Sequence, residues 1–414
     1  MGGSAFNSGP DPLTTPRMPK DVYLSVKAQC QARLREHYIC VASPIDGPGK
    51  QDFGDVDIFV CLPKDSPSTL SEREHVDFLG NTIGAVRTIY HKNDGIAGNY
   101  AIPWPRDDSQ DESEDTSKRY IQVDVRLCES FERLSWMLFK HAHADFWNYV
   151  GSTLRPYGLT VDDHAFWVRI PEIEEHNKKL AKIFLTTEPA HVLDFLGLPI
   201  ESNWDRAHDS LQDQFEYAAK CNLMYIPPDK SQWDVKDLKA NDRNRARKRP
   251  GFRKWIEEFI PQCREQGRFT TRPTTREAVT QRALERFHVE DEYIRRRDAY
   301  LLEKHRDAVW NDLIKVEIPK PEEGSDQKAV MYRSCSVRAF KAIILERNEE
   351  FGVQFDGSLM DDRGFYDLEG LKGFIEKHRE EVGEAALIKH NSALEAHLRK
   401  KGKWRETGEE GAKR

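Results

Sequence analysis

Two hydrophobic periods run along this chain, and the change from one to the other divides it. Up to about residue 200 short stretches carry apolar residues at strand spacing, while beyond about 205 helical spacing dominates. The clearest strand pattern is Tyr120–Leu127, where Ile121, Val123 and Val125 alternate with Gln122, Asp124 and Arg126. Residues 52–60 place Asp55 and Asp57 on either side of Val56 and then run into Ile58, Phe59 and Val60, all strand formers. Tyr38–Ala42, 87–91, 99–104 and 182–185 read as further strands, and 158–161 with 166–170 as a hairpin around Asp162, Asp163 and His164. Helical spacing appears at Tyr23, Val26, Cys30 and Leu34, over 71–85, and over 129–150, where Phe131, Leu134, Leu138, Ala142, Phe146 and Tyr149 form one stripe ended by Gly151. A short helix over 191–196 stops at Gly197. Later, Leu211, Phe215 and Ala218 open a helical region. Val279, Ala283, Phe287, Ile294 and Leu301 keep phase through one long charged helix, and helices follow near 335–350, 367–379 and 383–401.

These patterns predict an α+β chain: a mixed sheet flanked by helices, followed by a mainly α-helical C-terminal domain. The expected divisions are a disordered arm over 1–19, an α/β domain over 20–200, a helical domain over 201–401 and a disordered tail over 402–414. The 414 residues suffice for two or three domains. Seven cysteines lie scattered with no Cys-x-x-Cys pair, which argues against a structural zinc site or a disulfide framework and for an intracellular, reducing compartment, cytoplasm or nucleus. No apolar run is long enough to cross a membrane. The net charge of −7 hides an uneven distribution, with an acidic run over 107–115 that reads as solvated loop and a basic run over 243–254.

The chemistry concentrates in the strand patterns. Residues two apart in a strand point to one face, so Asp55 and Asp57 lie side by side and repel unless a cation sits between them. Asp124, on a strand of its own, can complete a triad. Three carboxylates on neighbouring strands suit a hard divalent cation, Mg2+ or Mn2+. Upstream, Ser43-Pro44 reads as a cap and first residue of a one-turn helix, a seat for phosphate. Lys50 stands between that loop and the carboxylates, and Gly54 permits a sharp turn or the close approach of a ligand. His141 and Asp145, four apart on an expected helix, read as a surface pair rather than metal ligands.

Taken together, Val41-Ala42-Ser43, Asp55-Val56-Asp57-Ile58 and Val123-Asp124-Val125 resemble the nucleotidyltransferase superfamily with the DNA polymerase beta-like fold, over about residues 20–200. Ala42 stands where that family has its first glycine. The resemblance implies that Asp55, Asp57 and Asp124 bind metal and are catalytic, that Ser43 and the amides after it hold a triphosphate, and that a nucleoside monophosphate passes from an NTP to an acceptor. The alternative is a protein that keeps this fold without the activity and serves as a nucleotide- or RNA-binding or protein-interaction module. An RNA acceptor is suggested by Arg243, Arg245, Arg247, Lys248 and Arg249, which can neutralise phosphates, with Phe252 and Trp255 nearby to stack on bases. The same basic run also reads as a solvated helix face or a nuclear import signal.

Overall fold

A computed structural model describes residues 3–64, 70–92, 95–105, 119–200, 205–227 and 240–401. The chain folds into two compact units, Met1–Glu290 and Asp291–Arg414. The boundary expected near residue 200 is therefore displaced by most of a hundred residues. The reason is aromatic packing: Phe215 and Trp255, from the first helical segments after 205, close on Tyr149 with ring centroids 5.2 Å and 5.5 Å away. Those segments complete the core of the first unit instead of founding a second one.

In chain order the first unit opens with β1 (Met18–Pro19) and α1 (Lys20–Arg35), then β2 (Tyr38–Ala42), β3 (Asp52–Phe53), β4 (Asp55–Pro63), α2 (Glu72–Ile83), β5 (Arg87–Tyr90), β6 (Ala97–Pro103), β7 (Tyr120–Leu127), α3 (Phe131–His141) and α4 (Phe146–Leu154). Five of these strands form one mixed sheet in the order β2-β4-β7-β6-β5. Its central pair, β4 and β7, is parallel and its other neighbours are antiparallel. A small antiparallel sheet, β10-β9-β8, follows from β8 (Leu159–Val161), β9 (Phe166–Arg169) and β10 (Lys182–Thr186).

Alternation sorts the central strands onto two faces. Val56, Ile58, Val60, Ile121, Val123 and Val125 turn toward α1 and α2, where Tyr23, Val26, Cys30, Leu34, Val76, Leu79 and Ile83 close the main core. Each such buried side chain contributes about 1.5–3 kcal/mol. The opposite face starts polar with Asp55, Asp57, Gln122 and Asp124. It turns apolar further along, where Phe59 and Cys61 meet Cys128, Leu134 and Met137. A parallel pair is normally covered on both faces. Here α3 covers only the downstream half of the second one.

Four local expectations change. Residues 3–19 lie against the sheet rather than forming a disordered arm: Phe6 is buried, Tyr120 N donates to Thr14 O at 2.9 Å, and β1 pairs with β3. Ser43-Pro44 opens no helix, and residues 43–47 run without regular structure into a turn at Pro48-Gly49. The helix expected over 129–150 is two helices, because His143 and Ala144 adopt left-handed conformations (φ 60° and 53°) that an α-helix cannot contain, while Gly151 lies inside α4. His288 (φ 56°) breaks the long charged helix in the same way, giving Arg276–Phe287 and Glu290–Ala308.

The second unit is helical. Gln327–Glu346 packs along Leu368–Lys400 through Phe340, Ile343, Ile344, Leu371, Ile375 and Val382. The two helices expected over 367–401 are one. Gly383 does not end it but allows close approach, since a Cβ there would lie 2.2 Å from Tyr332 Oη. The acidic run over 107–115 and the tail from 402 lie outside the described residues.

Candidate functional site

The parallel register of β4 and β7 sets Asp57 directly beside Asp124 and Asp55 beside Gln122. Paired residues on adjacent strands share a face, so three carboxylates and one amide gather over the half of that face that α3 leaves open to the N-terminal arm. β6 adds Asn99, the register partner of Asp124 on its other side. The predicted triad is therefore brought together on adjacent strands. As placed, no group of three or more His, Cys, Asp or Glu among the described residues closes around one point. Backbone register supplies the proximity of the three carboxylates.

Asp124 is held firmly. Asn99 Nδ2 donates to its Oδ1 at 2.6 Å, and Gln122 Nε2 donates to Oδ1 and Oδ2 at 2.9 and 3.1 Å. Gln122 is positioned in turn by the N-terminal arm, since Ala5 N donates to its Oε1 at 2.9 Å. Asn99 Oδ1 also meets His91 Nε2 at 2.5 Å. The same arm reaches Gly54, immediately before Asp55. Gly3, at φ 82°, lies so close that a Cβ would stand 2.1 Å from Gly54 O. The close approach expected at Gly54 is thus made by the chain's own backbone.

The electrostatics follow from crowding. Burial, then repulsion from Asp55 and Asp124, pushes Asp57 up to about 7, with Lys50 pulling the other way. Burial also lifts Asp124 to about 6, opposed by its hydrogen bonds from Asn99 and Gln122 and assisted by Asp55. These are the marks of negative charge held together by the fold without matching positive charge.

The loop between β2 and β4 brings the remaining predicted residues. Ser43 Oγ accepts from Gln31 Nε2 at 2.9 Å, which leaves its own proton free to be donated. Lys50 Nζ sits over the Phe53 ring at 4.5 Å, and Tyr23 stacks on that ring at 3.8 Å. Tyr23 donates to both oxygens of Asp46 at 3.0 and 3.1 Å, and Lys27 reaches Asp46 at 3.2 Å. Burial and Asp46 keep the Tyr23 hydroxyl protonated far above its usual range. Sequence reasoning missed Asn99, Asp46 and Tyr23. Gln122 alone had a readable signal, because it lies in strand phase with Asp124.

His141 and Asp145 do not share a helix, since α3 ends at His141. His141 sits edge-on to Phe59 at 5.4 Å, and Asp145 pairs with Arg249 at 3.0 Å.

The basic segment departs from its sequence reading in one respect. It forms the helix Ala240–Lys248 and a second helix, Pro250–Lys254, with Arg243, Arg247, Lys248 and Arg249 exposed. Phe252 and Trp255, expected beside it as stacking surfaces, are instead core residues at 1 % and 0 % exposure. Arg155 meets Asp242 at 2.8 Å, and Arg245 pairs with the same carboxylate.

No protein-family model matches the sequence, and no curated protein matches it. Among the described residues no helix is long and apolar enough to cross a membrane.

Proposed function

We propose that this chain is a divalent-cation-dependent nucleotidyltransferase that moves a nucleoside monophosphate from an NTP to a hydroxyl acceptor, with RNA as the candidate acceptor. The observation that carries this reading is the in-register pairing of Asp57 with Asp124, with Asp55 on the same face and the Asp57 and Asp124 carboxyls raised by burial and then by neighbouring negative charge. Carboxylate oxygens are the donors that Mg2+ or Mn2+ prefers, and amide donors on Asp124 fix its orientation as outer partners of a metal ligand do. When bound, the cation neutralises the phosphates and polarises the reacting phosphorus. Asp55 and Asp57 would hold it, and Asp124, beside Asp57 on β7, would accept the proton of the attacking hydroxyl. The acceptor oxygen then bonds to the α-phosphorus as the bond to pyrophosphate breaks. Lys50 and Ser43 lie on the loop that would meet the phosphate tail.

A second reading has its own observation. Ser43-Pro44 forms no helix N-terminus, so the expected phosphate seat lacks its dipole, and a nucleotide held without that seat is bound but not oriented for transfer. One experiment separates the two. The protein is incubated with each labelled NTP, Mg2+ or Mn2+, and total RNA, with Asp57→Asn as control. Label transfer with pyrophosphate release, lost in the variant, supports the enzyme. NTP binding without release supports the module, and transfer that survives Asp57→Asn removes the site proposed here.

A further inference from the structure

Three of the seven cysteines meet in one small apolar cluster on the carboxylate face. Cys61 and Cys128 are buried there with Phe59, Leu134 and Met137, and half-buried Cys40 packs against them. Cys40 and Cys61 are register partners in the antiparallel β2–β4 pair. Directly opposed residues of an antiparallel pair have Cα atoms about 4.5–5.5 Å apart, within the range a disulfide spans. The ladder is irregular just beyond them, where Ile39 and Leu62 are not paired and Leu62 adopts a left-handed conformation (φ 56°).

We propose that Cys40 and Cys61 are an oxidative modification site that closes a reversible cross-strand disulfide in the folded protein. Cys40, the more exposed of the two, meets the oxidant first. A peroxide takes two electrons from its thiolate to give a sulfenic acid and releases hydroxide. The Cys61 thiol then attacks that sulfur, forming the S–S bond and expelling water. A disulfide with one half-exposed partner is open to thiol exchange, which suits a switch more than a permanent staple. Its place gives it consequence. The bond would close residues 40–61 into a covalent ring that contains Ser43, Asp46, Lys50, Asp55 and Asp57, and so restrain the loop facing the carboxylates. This inference rests on strand register and stands apart from the nucleotidyl-transfer reading.

The test treats the full chain with hydrogen peroxide, blocks remaining thiols with N-ethylmaleimide, and maps unreduced peptides by mass spectrometry. The expected product joins the Cys40 and Cys61 peptides, persists in Cys128→Ser, disappears in Cys40→Ser and reverses with dithiothreitol. The oxidised protein should also melt a few degrees above the reduced one, because the ring constrains the unfolded chain. Three results would each overturn the proposal: Cys40 carried to sulfinic acid beside an alkylated Cys61, a Cys61–Cys128 bond as the main product, or an oxidised protein that melts below the reduced one. The mapping in the unsubstituted chain needs no variant to fold.

Discussion

Two charged clusters of the first unit invite comparison, the carboxylates of β4 and β7 and the arginines of the helix Ala240–Lys248. Both stand out in the sequence as concentrations of one sign. The fold treats them in opposite ways. Near the arginines it supplies counter-charges: Asp242, 7 % exposed, lies between Arg155 and Arg245, and Asp145 takes Arg249. Around Asp55 and Asp57 it adds more negative charge from Asp124 and Asp46, with Lys50 as the cation that opposes them at Asp57. A cluster neutralised from within has its structural explanation already. A cluster left in repulsion is explained by a ligand that brings the missing charge.

The largest expected effect tests that difference directly. Asp57→Asn removes the most perturbed carboxyl and should lower nucleotidyl transfer by on the order of a thousandfold. The same change should stabilise the metal-free protein at pH 8 by about 1 kcal/mol, since it deletes repulsion that only a cation relieves. Urea unfolding with and without Mg2+ reads both states. A variant less stable than the parent in metal-free buffer would mean that Asp57 is an ordinary satisfied residue. The arginine cluster should answer oppositely. Asp242→Ala leaves Arg155 and Arg245 facing one another without their shared partner and should cost about 2–3 kcal/mol in urea unfolding. A loss below about 0.5 kcal/mol would show those pairs to be surface contacts of little worth.

A pH series sharpens the contrast. The Asp57 carboxyl rises from the usual 3.8 to about 7 on folding. The folded chain therefore keeps that proton to higher pH than the unfolded chain. Stability from this group is complete below about pH 4 and is lost as pH climbs through 7. Denaturant midpoints of the metal-free protein should fall between pH 5 and 8, and Mg2+ should offset the fall at the upper end. A flat profile that also ignores Mg2+ would contradict the crowded-carboxylate account. A smaller effect is expected at Gln122, which donates to Asp124 and accepts from Ala5 N. Gln122→Ala should raise the Asp124 carboxyl further and shift the acid limb of the activity profile upward, with transfer reduced about tenfold.

Much of this site was legible because strand phase is a local property. Asp55 and Asp57 share a face whatever the rest of the chain does, and the alternation around Asp124 marked its strand without any partner. What the sequence leaves open is what long-range pairing decides. Nothing local tells that Asn99 will stand beside Asp124, that Asp46 will face Tyr23, or that Gly3 will press on Gly54. The helix expected over 129–150 failed where His143 and Ala144 adopt left-handed conformations that neither residue type announces. The domain boundary failed for a related reason. Helical spacing at Phe215 predicts a buried face but does not name the core that buries it, and here that core contains Tyr149. The reading of Phe252 and Trp255 as stacking surfaces inverted their role, because an aromatic beside arginines looks alike from sequence whether it faces solvent or the interior.

The smallest expected effect decides what remains of the RNA reading. With Phe252 and Trp255 in the core, base stacking is removed from that segment, and only phosphate contact is left to it. Arg247 and Lys248 are exposed, and replacing them leaves the Asp242 and Asp145 pairs intact. The double variant Arg247→Ala/Lys248→Ala should therefore melt with the parent while binding single-stranded RNA several-fold more weakly at moderate salt. The slope of log affinity against log salt should drop by about 1 to 2, as expected when two phosphate contacts are lost. Binding measured by anisotropy across a salt series gives the slope and the affinity together. An unchanged slope would reduce this helix to a solvated face and move the search for the acceptor surface to another part of the molecule.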